Sequence, residues 1–286
     1  MIYSYYPGCS LHGAALDYQM SIDESCKKLG MELLEIKDWN CCGATAAAAE
    51  DQKMALALAG LNLMKCKQEE LVVSCNACYM RLSQVHVKFA KYPDLANELT
   101  QLLTGGNDKS IITKPKVKHL LQIFMEDIGL DRIQKEVVNP LKDLEVVPYY
   151  GCQIVRPGGF DDPEQPTSLD ELLAGLGAKV LPYYRKTRCC GNSLVISNED
   201  LALKMIKELL DEAKEAGARA VAVTCPVCQL NLDAYQDKVS KKYGKTYDIP
   251  VIYFTQLMGV AFGISKEKLG LNKSIVSSNK VLKSVV

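Results

Sequence analysis

The stretch LVVSCNAC at residues 71–78 and its echo AVAVTCPVC at 220–228 decide the fold. Each is a short apolar run that reads as a β-strand, and each ends at once in a CxxC pair. Working outward, the first CxxC (Cys75, Cys78) is preceded by Cys9 and the vicinal pair Cys41–Cys42, and the second (Cys225, Cys228) by Cys152 and the vicinal pair Cys189–Cys190. Between the first cysteine and the vicinal pair lie 31 residues in one set and 36 in the other; between the vicinal pair and the CxxC lie 32 and 34. Corresponding cysteines stand 143 to 150 positions apart, which is the mark of an internal duplication.

The flanking residues repeat as well. Tyr5, Tyr6 and Gly8 before Cys9 match Tyr149, Tyr150 and Gly151 before Cys152, and each vicinal pair is followed by glycine, Gly43 or Gly191. LGMELL at 29–34 matches LGAKVL at 176–181, and PKVKHLLQIFM from Pro115 matches PVIYFTQLM from Pro250. Both halves read in one order. A strand (2–6; 146–150) leads to the first cysteine and a helix (about 14–29; 169–176). A second strand (32–36; 179–183) leads to the vicinal pair and a long helix (50–67; 198–216). A third strand (71–74; 220–224) reaches CxxC, with a further helix beyond. The segment 93–144 joins the halves and holds the first half's last strand and helix, with TGGND at 104–108 as a surface loop; residues after about 265 read as a weakly ordered tail.

Strands alternating with helices imply an α/β fold with parallel sheets, here two pseudo-symmetric Rossmann-like lobes over 1–140 and 141–286. In such sheets ligands bind along the C-terminal strand edge. Each cysteine group directly follows a strand, so five thiols per lobe converge there.

Size and composition allow this. The 286 residues are 48% hydrophobic and carry 34 basic and 34 acidic side chains, so nothing in the charge points to nucleic acid. No run reaches about 18 apolar residues, the nearest being IPVIYFTQLMGVAFGI at 249–264, which reads as a buried strand and helix; the chain is expected to be cytoplasmic, without a transmembrane segment. Twelve cysteines in such a chain point to metal or redox chemistry rather than disulfides. Mononuclear zinc takes four ligands, usually from two CxxC-like pairs, whereas each half offers one CxxC, a vicinal pair and a fifth thiol. A cubane cluster also takes four, in a C-x₂-C-x₂-C run that is absent. The quintets favour a polynuclear, expanded site.

The pattern C-x₃₁-CC-x₃₂-CxxC followed by C-x₃₆-CC-x₃₄-CxxC, with glycine after each CC, resembles the cysteine-rich CCG domain, and two copies resemble the family of heterodisulfide reductase B subunits over roughly residues 1–262. The 32-residue gap before Cys75 is shorter than that motif's usual spacing, and a helix about one turn shorter absorbs it. The resemblance implies two non-cubane [4Fe-4S] clusters, one on Cys9, Cys41, Cys42, Cys75 and Cys78, the other on Cys152, Cys189, Cys190, Cys225 and Cys228. It implies reduction of a mixed disulfide, such as that of coenzyme M with coenzyme B, to two thiols. It also implies as partners a ferredoxin-like iron–sulfur subunit and a flavin-containing subunit. The resemblance extends to subunits of glycolate-, lactate- and glycerol-3-phosphate-oxidising systems, and a zinc-stabilised scaffold is the non-enzymatic alternative.

Outside the ten cysteines, His12 is a candidate proton donor or an ordinary loop histidine, and Cys26 and Cys66 are small buried hydrophobes. His86 and His119 suggest only core or surface roles, and Trp39 either shields a cluster or simply packs. Arg156, Arg185, Lys186 and Arg188 flank the second quintet as anion-binding candidates or solvated charge.

Overall fold

The computed structural model describes residues 1–282 apart from Thr45, Asn107, Lys109 and Pro157. The repeat becomes two four-stranded sheets. One holds β1 (Ile2–Tyr6), β2 (Glu32–Glu35), β3 (Glu70–Val73) and β4 (Lys116–His119); the other holds β5 (Glu145–Tyr149), β6 (Lys179–Val180), β7 (Ala220–Val223) and β8 (Val251–Tyr253). Their orders are β2-β1-β3-β4 and β6-β5-β7-β8, with every pairing parallel. The central strands carry unbroken apolar runs because helices cover both sheet faces: Leu71, Val72 and Val73 are buried, as are all four residues of β7.

The helices that position the site are α1 (Leu16–Lys28), α2 (Gln52–Met64), α3 (Asn76–Lys91), α4 (Ser168–Gly175), α5 (Glu199–Glu215), α6 (Pro226–Ala234) and α7 (Phe254–Ala261). In α5 the Asn198 side chain caps the Leu201 amide, acids occupy the first turn, and Leu203, Ile206, Leu210 and Ala213 form the buried stripe.

Three expectations are corrected. The long helix over 50–67 is interrupted at Asp51, which is extended and accepts hydrogen bonds from Lys53 and Met54 amides, ending one short helix (Ala46–Glu50) and capping α2. The strand over 179–183 stops at Val180, since Pro182 has no N–H to continue the ladder. The segment after 265 is packed: Leu269 and Leu282 are buried, and Ile275 and Val276 amides donate to buried Asp233 at 2.8 and 3.0 Å; residues 283–286 lie outside the described residues. Of the loop at 104–108, Asn107 also lies outside them, while Gly105 caps a helix over Pro93–Thr104.

The lobes exchange helices. In the first lobe α1 packs on α7 of the second, with Tyr18 stacked on Tyr253 at 4.0 Å and Ser21 Oγ 2.7 Å from Thr255 Oγ1. Reciprocally, α4 packs on the helical segments following β4. One apolar core therefore runs through both lobes. In each sheet the chain leaves its first strand to one side and returns on the other, which makes the gap between β1 and β3, and between β5 and β7, a topological switch point where ligand crevices form.

Candidate metal centre

The cysteines sit at those crevices for local reasons. Cys75 is the N-cap of α3 and Cys78 lies in its first turn; Cys225 and Cys228 hold the same places on α6. Unpaired amides and the positive helix end favour thiolates there. Cys9 and Cys152 follow Gly8 and Gly151, whose φ angles are +73° and +72° and where a Cβ would come within 3.1 Å of Cys78 Sγ or Cys228 Sγ. Glycine is required on both counts. The glycine of each CCG, Gly43 or Gly191, also has positive φ and lies against the backbone of α2 or α5, at Ala55 or Ala202.

Tyrosines fix the vicinal pairs. Tyr6 Oη donates to the Asn40 carbonyl at 2.8 Å, and Tyr149 Oη donates to the Arg188 carbonyl at 2.7 Å, each the residue before a CC. Strand register confirms the pairing, since Tyr6 lies opposite Val73 and Tyr149 opposite Val223. The expected match of Tyr5–Tyr6 with Tyr149–Tyr150 is thus out by one: Tyr6 corresponds to Tyr149. Asn62 adds hydrogen bonds to both the amide and the carbonyl of Asn40, and Asn231 donates to the Cys190 carbonyl at 2.6 Å.

All ten predicted cysteines line one cavity at the joint of the lobes. Its other wall residues are Ser10, Asn76, Gln153, Asn192 and Ser193 with Ala44, Ala77 and Val227, so among the described residues no charged side chain lines it. Cys42 Sγ and Cys78 Sγ stand 3.2 Å apart, and nine of the thiols bear on one another's ionisation in sequence: 41–42–78–75 in the first lobe, Cys75 with Cys225 across the joint, and 225–228–190–189–152 in the second. Hydrogen bonding from Cys78 holds Cys42 down at about 7. Burial opposes ionisation of Cys225, yet hydrogen bonds from Cys228 and Cys75 outweigh it and hold that thiol well below the ordinary value. The partners go the other way, Cys78 pushed up by its bond to Cys42 and Cys228 by its bond to Cys190. The thiols therefore titrate as a coupled set and not one by one.

That donor set tests what the cavity can hold. Ionising all ten thiols would gather like charges in a buried space with no cationic wall residue among those described, so the compensating charge has to come from bound metal. Among the described residues no group of three or more His, Cys, Asp or Glu has the geometry for a single metal ion. A string of sulfurs suits a group with several metal atoms, each offering its own anchor point.

Other predicted residues lie elsewhere. His12 is outside the cavity wall; its side chain is about half exposed, with Nε2 3.3 Å from Glu35 Oε1 and its ring edge-on to Trp39. Trp39 donates to Glu35 at 2.8 Å and packs edge-on against Tyr6. Arg156 pairs with Glu164, Arg185 with Glu208 and Glu212, Lys186 with Asp170, and Arg188 is exposed; none lines the cavity. Cys26 is buried, and Cys66 donates to the Asn62 carbonyl. Sequence reasoning missed the roles of Tyr6 and Tyr149, although these tyrosines could have been found from their shared place three residues before a cysteine.

The sequence matches the CCG family, described as a cysteine-rich domain, at residues 3–83 and 146–233. It is 31% identical to the 8-methylmenaquinol:fumarate reductase membrane anchor subunit of Wolinella succinogenes over 98% of both chains. It is 29% identical to the B subunit of the ferredoxin:CoB-CoM heterodisulfide reductase of Methanosarcina mazei, over 92% of this chain and 91% of that one. A protein of Archaeoglobus profundus, named as similar to the heterodisulfide reductase B subunit, is 27% identical over 93% and 92%. Among solved structures, a hypothetical protein from Helicobacter pylori superposes with a TM-score of 0.75 at 14% identity, covering 96% of this chain and 52% of that one, which establishes likeness of fold. Among the described residues no helix is long and apolar enough to cross a membrane.

Proposed function

The chain belongs to the CCG family of cysteine-rich domains, and from that premise we propose that it is an iron–sulfur electron-transfer subunit of a multi-subunit oxidoreductase that reduces a mixed disulfide to two thiols. The observation that carries this reading is the single cavity shared by both quintets. Cys9, Cys41, Cys42, Cys75 and Cys78 would hold one non-cubane [4Fe-4S] cluster, and Cys152, Cys189, Cys190, Cys225 and Cys228 the other. When bound, such groups supply electrons singly, and a disulfide needs two. The chain's own residues present the thiolates, keep them at the joint of the lobes, and offer Ser10, Asn76, Gln153, Asn192 and Ser193 as neutral hydrogen-bonding groups beside the reacting atoms. The relatives named as B subunits of heterodisulfide reductase support membership of a multi-subunit complex; within this proposal a ferredoxin-like iron–sulfur subunit and a flavin-containing subunit bring the electrons, in the cytoplasm.

A second reading, electron exchange with a quinol as in the Wolinella complex, draws on the identity along nearly the full length of that relative and on the uncharged wall, which suits a neutral ring. Anaerobically reconstituted protein, reduced by a viologen dye, separates the two. Oxidation of the dye by a disulfide, abolished when the five cysteines of either half become serine, is the expected result. Full activity with one quintet removed would refute it, and turnover with a menaquinone analogue but no disulfide would favour the second reading.

A further inference from the structure

Beyond the ladders, each central strand runs one residue further before its CxxC: Ser74 after β3 and Thr224 after β7. Both residues are fully buried. Their carbonyls converge on one hydroxyl, that of Tyr18, which lies 3.3 Å from Ser74 O and 3.1 Å from Thr224 O. A phenol has a single hydrogen, so this is a three-centre bond that ties the two lobes at the residues preceding Cys75 and Cys225. Tyr18 is itself fully buried, its ring clamped flat on Tyr253. A second stitch lies beside it: Asn76 Nδ2 donates to the Tyr150 carbonyl at 2.6 Å, and Thr224 Oγ1 is 3.3 Å from Asn76 Oδ1. Burial makes each of these groups costly to leave unpaired, so the joint has one low-energy spacing.

We propose that Tyr18 is a positioning residue that sets the spacing between the two cysteine quintets by holding the Ser74 and Thr224 carbonyls on one hydroxyl. Its importance for electron transfer rests on the cofactor reading above, but the spacing itself does not.

The test uses the full chain, metal-free and reduced, as wild type, Tyr18→Phe and Tyr253→Phe. Dibromobimane, which fluoresces on bridging two nearby thiols, is added and the bridges are mapped by peptide analysis. Tyr18→Phe keeps the stacked ring and loses only the hydroxyl. The Cys75–Cys225 bridge is expected to form about tenfold more slowly in it, with the Cys42–Cys78 and Cys190–Cys228 bridges unchanged and Tyr253→Phe like wild type. An unaltered Cys75–Cys225 rate overturns the proposal, and so does an equal loss at every bridge, which would mark a general structural role. The same proteins are then reconstituted with iron and sulfide. Equal iron with altered spin–spin broadening in Tyr18→Phe supports the proposal, and an identical spectrum contradicts it. Failure of wild type to take up iron would sink the cofactor reading while leaving the bridging result to stand.

Discussion

The two lobes share strand order, cysteine pattern and the tyrosine that pins each vicinal pair, yet they treat their rims differently. In the first lobe Cys9 and Cys41 are exposed, whereas their counterparts Cys152 and Cys189 are partly covered. The path from Cys152 to α4 is longer and is folded on Asp161, whose carboxylate accepts from the Thr167 and Ser168 amides and the Ser168 hydroxyl. At the end of the outer strand the lobes differ again: His119 of β4 occupies the place of Tyr253 in β8. Duplication has kept what aims the sulfurs and varied what surrounds them.

The sharpest way to break the comparison is to add one methyl group at a shared point. Gly8→Ala and Gly151→Ala each force a side chain into the left-handed region and toward a cysteine sulfur. Each is expected to destabilise the fold by about 1–3 kcal/mol and to lower bound iron by about half, through its own lobe. Denaturant titration and iron analysis read the two effects, and equal iron in both variants and wild type would deny the lobes separate sites.

The acid limb of stability comes next. Burial holds His119 neutral, its pKa lowered to about 3, while Nδ1 accepts the Leu121 amide. An unfolded histidine takes up a proton near 6.5 and the native one does not, so this residue's contribution is full above that pH and is lost as pH falls toward 3. The slope is up to about 1.4 kcal/mol per pH unit. His119→Gln should flatten that limb in urea titrations of metal-free protein between those values, and an unchanged slope would be the contrary result.

Tyr6→Phe and Tyr149→Phe should cost about 1 kcal/mol each by the same titration, with the double variant near their sum. A much larger loss in one would show that the lobes use the pin differently. The smallest effect concerns access. In metal-free protein iodoacetamide should label Cys9 a few-fold sooner than Cys152, which is partly covered and whose thiol is pushed up by its bond to Cys189 and by burial, and the reverse order by peptide mapping would contradict the difference in exposure.

Much of this architecture was legible because the chain writes it twice. The apolar runs before CxxC, the helix-forming stretches and the matched offsets give strand order and the convergence of sulfurs without tertiary information. Legibility failed where a contact joins residues far apart in sequence or a single side chain overrides a pattern. Asp51 breaks a helix that composition favours, and Pro182 ends a strand that hydrophobicity would continue. The segment after 265 looks polar but is anchored by Asp233, more than thirty residues away. Tyr18 is the clearest case, since an ordinary helix-face tyrosine acquires its place only when both lobes are present. His12 stands three residues after Cys9 in sequence, yet its side chain is turned to Glu35 and Trp39.

Metal and sulfide analysis of the full chain isolated without oxygen tests the central claim most directly. About eight irons with a matching amount of acid-labile sulfide are expected, falling by about half when either quintet is replaced by serine. A colourless protein holding one or two zinc ions and no sulfide would contradict the account.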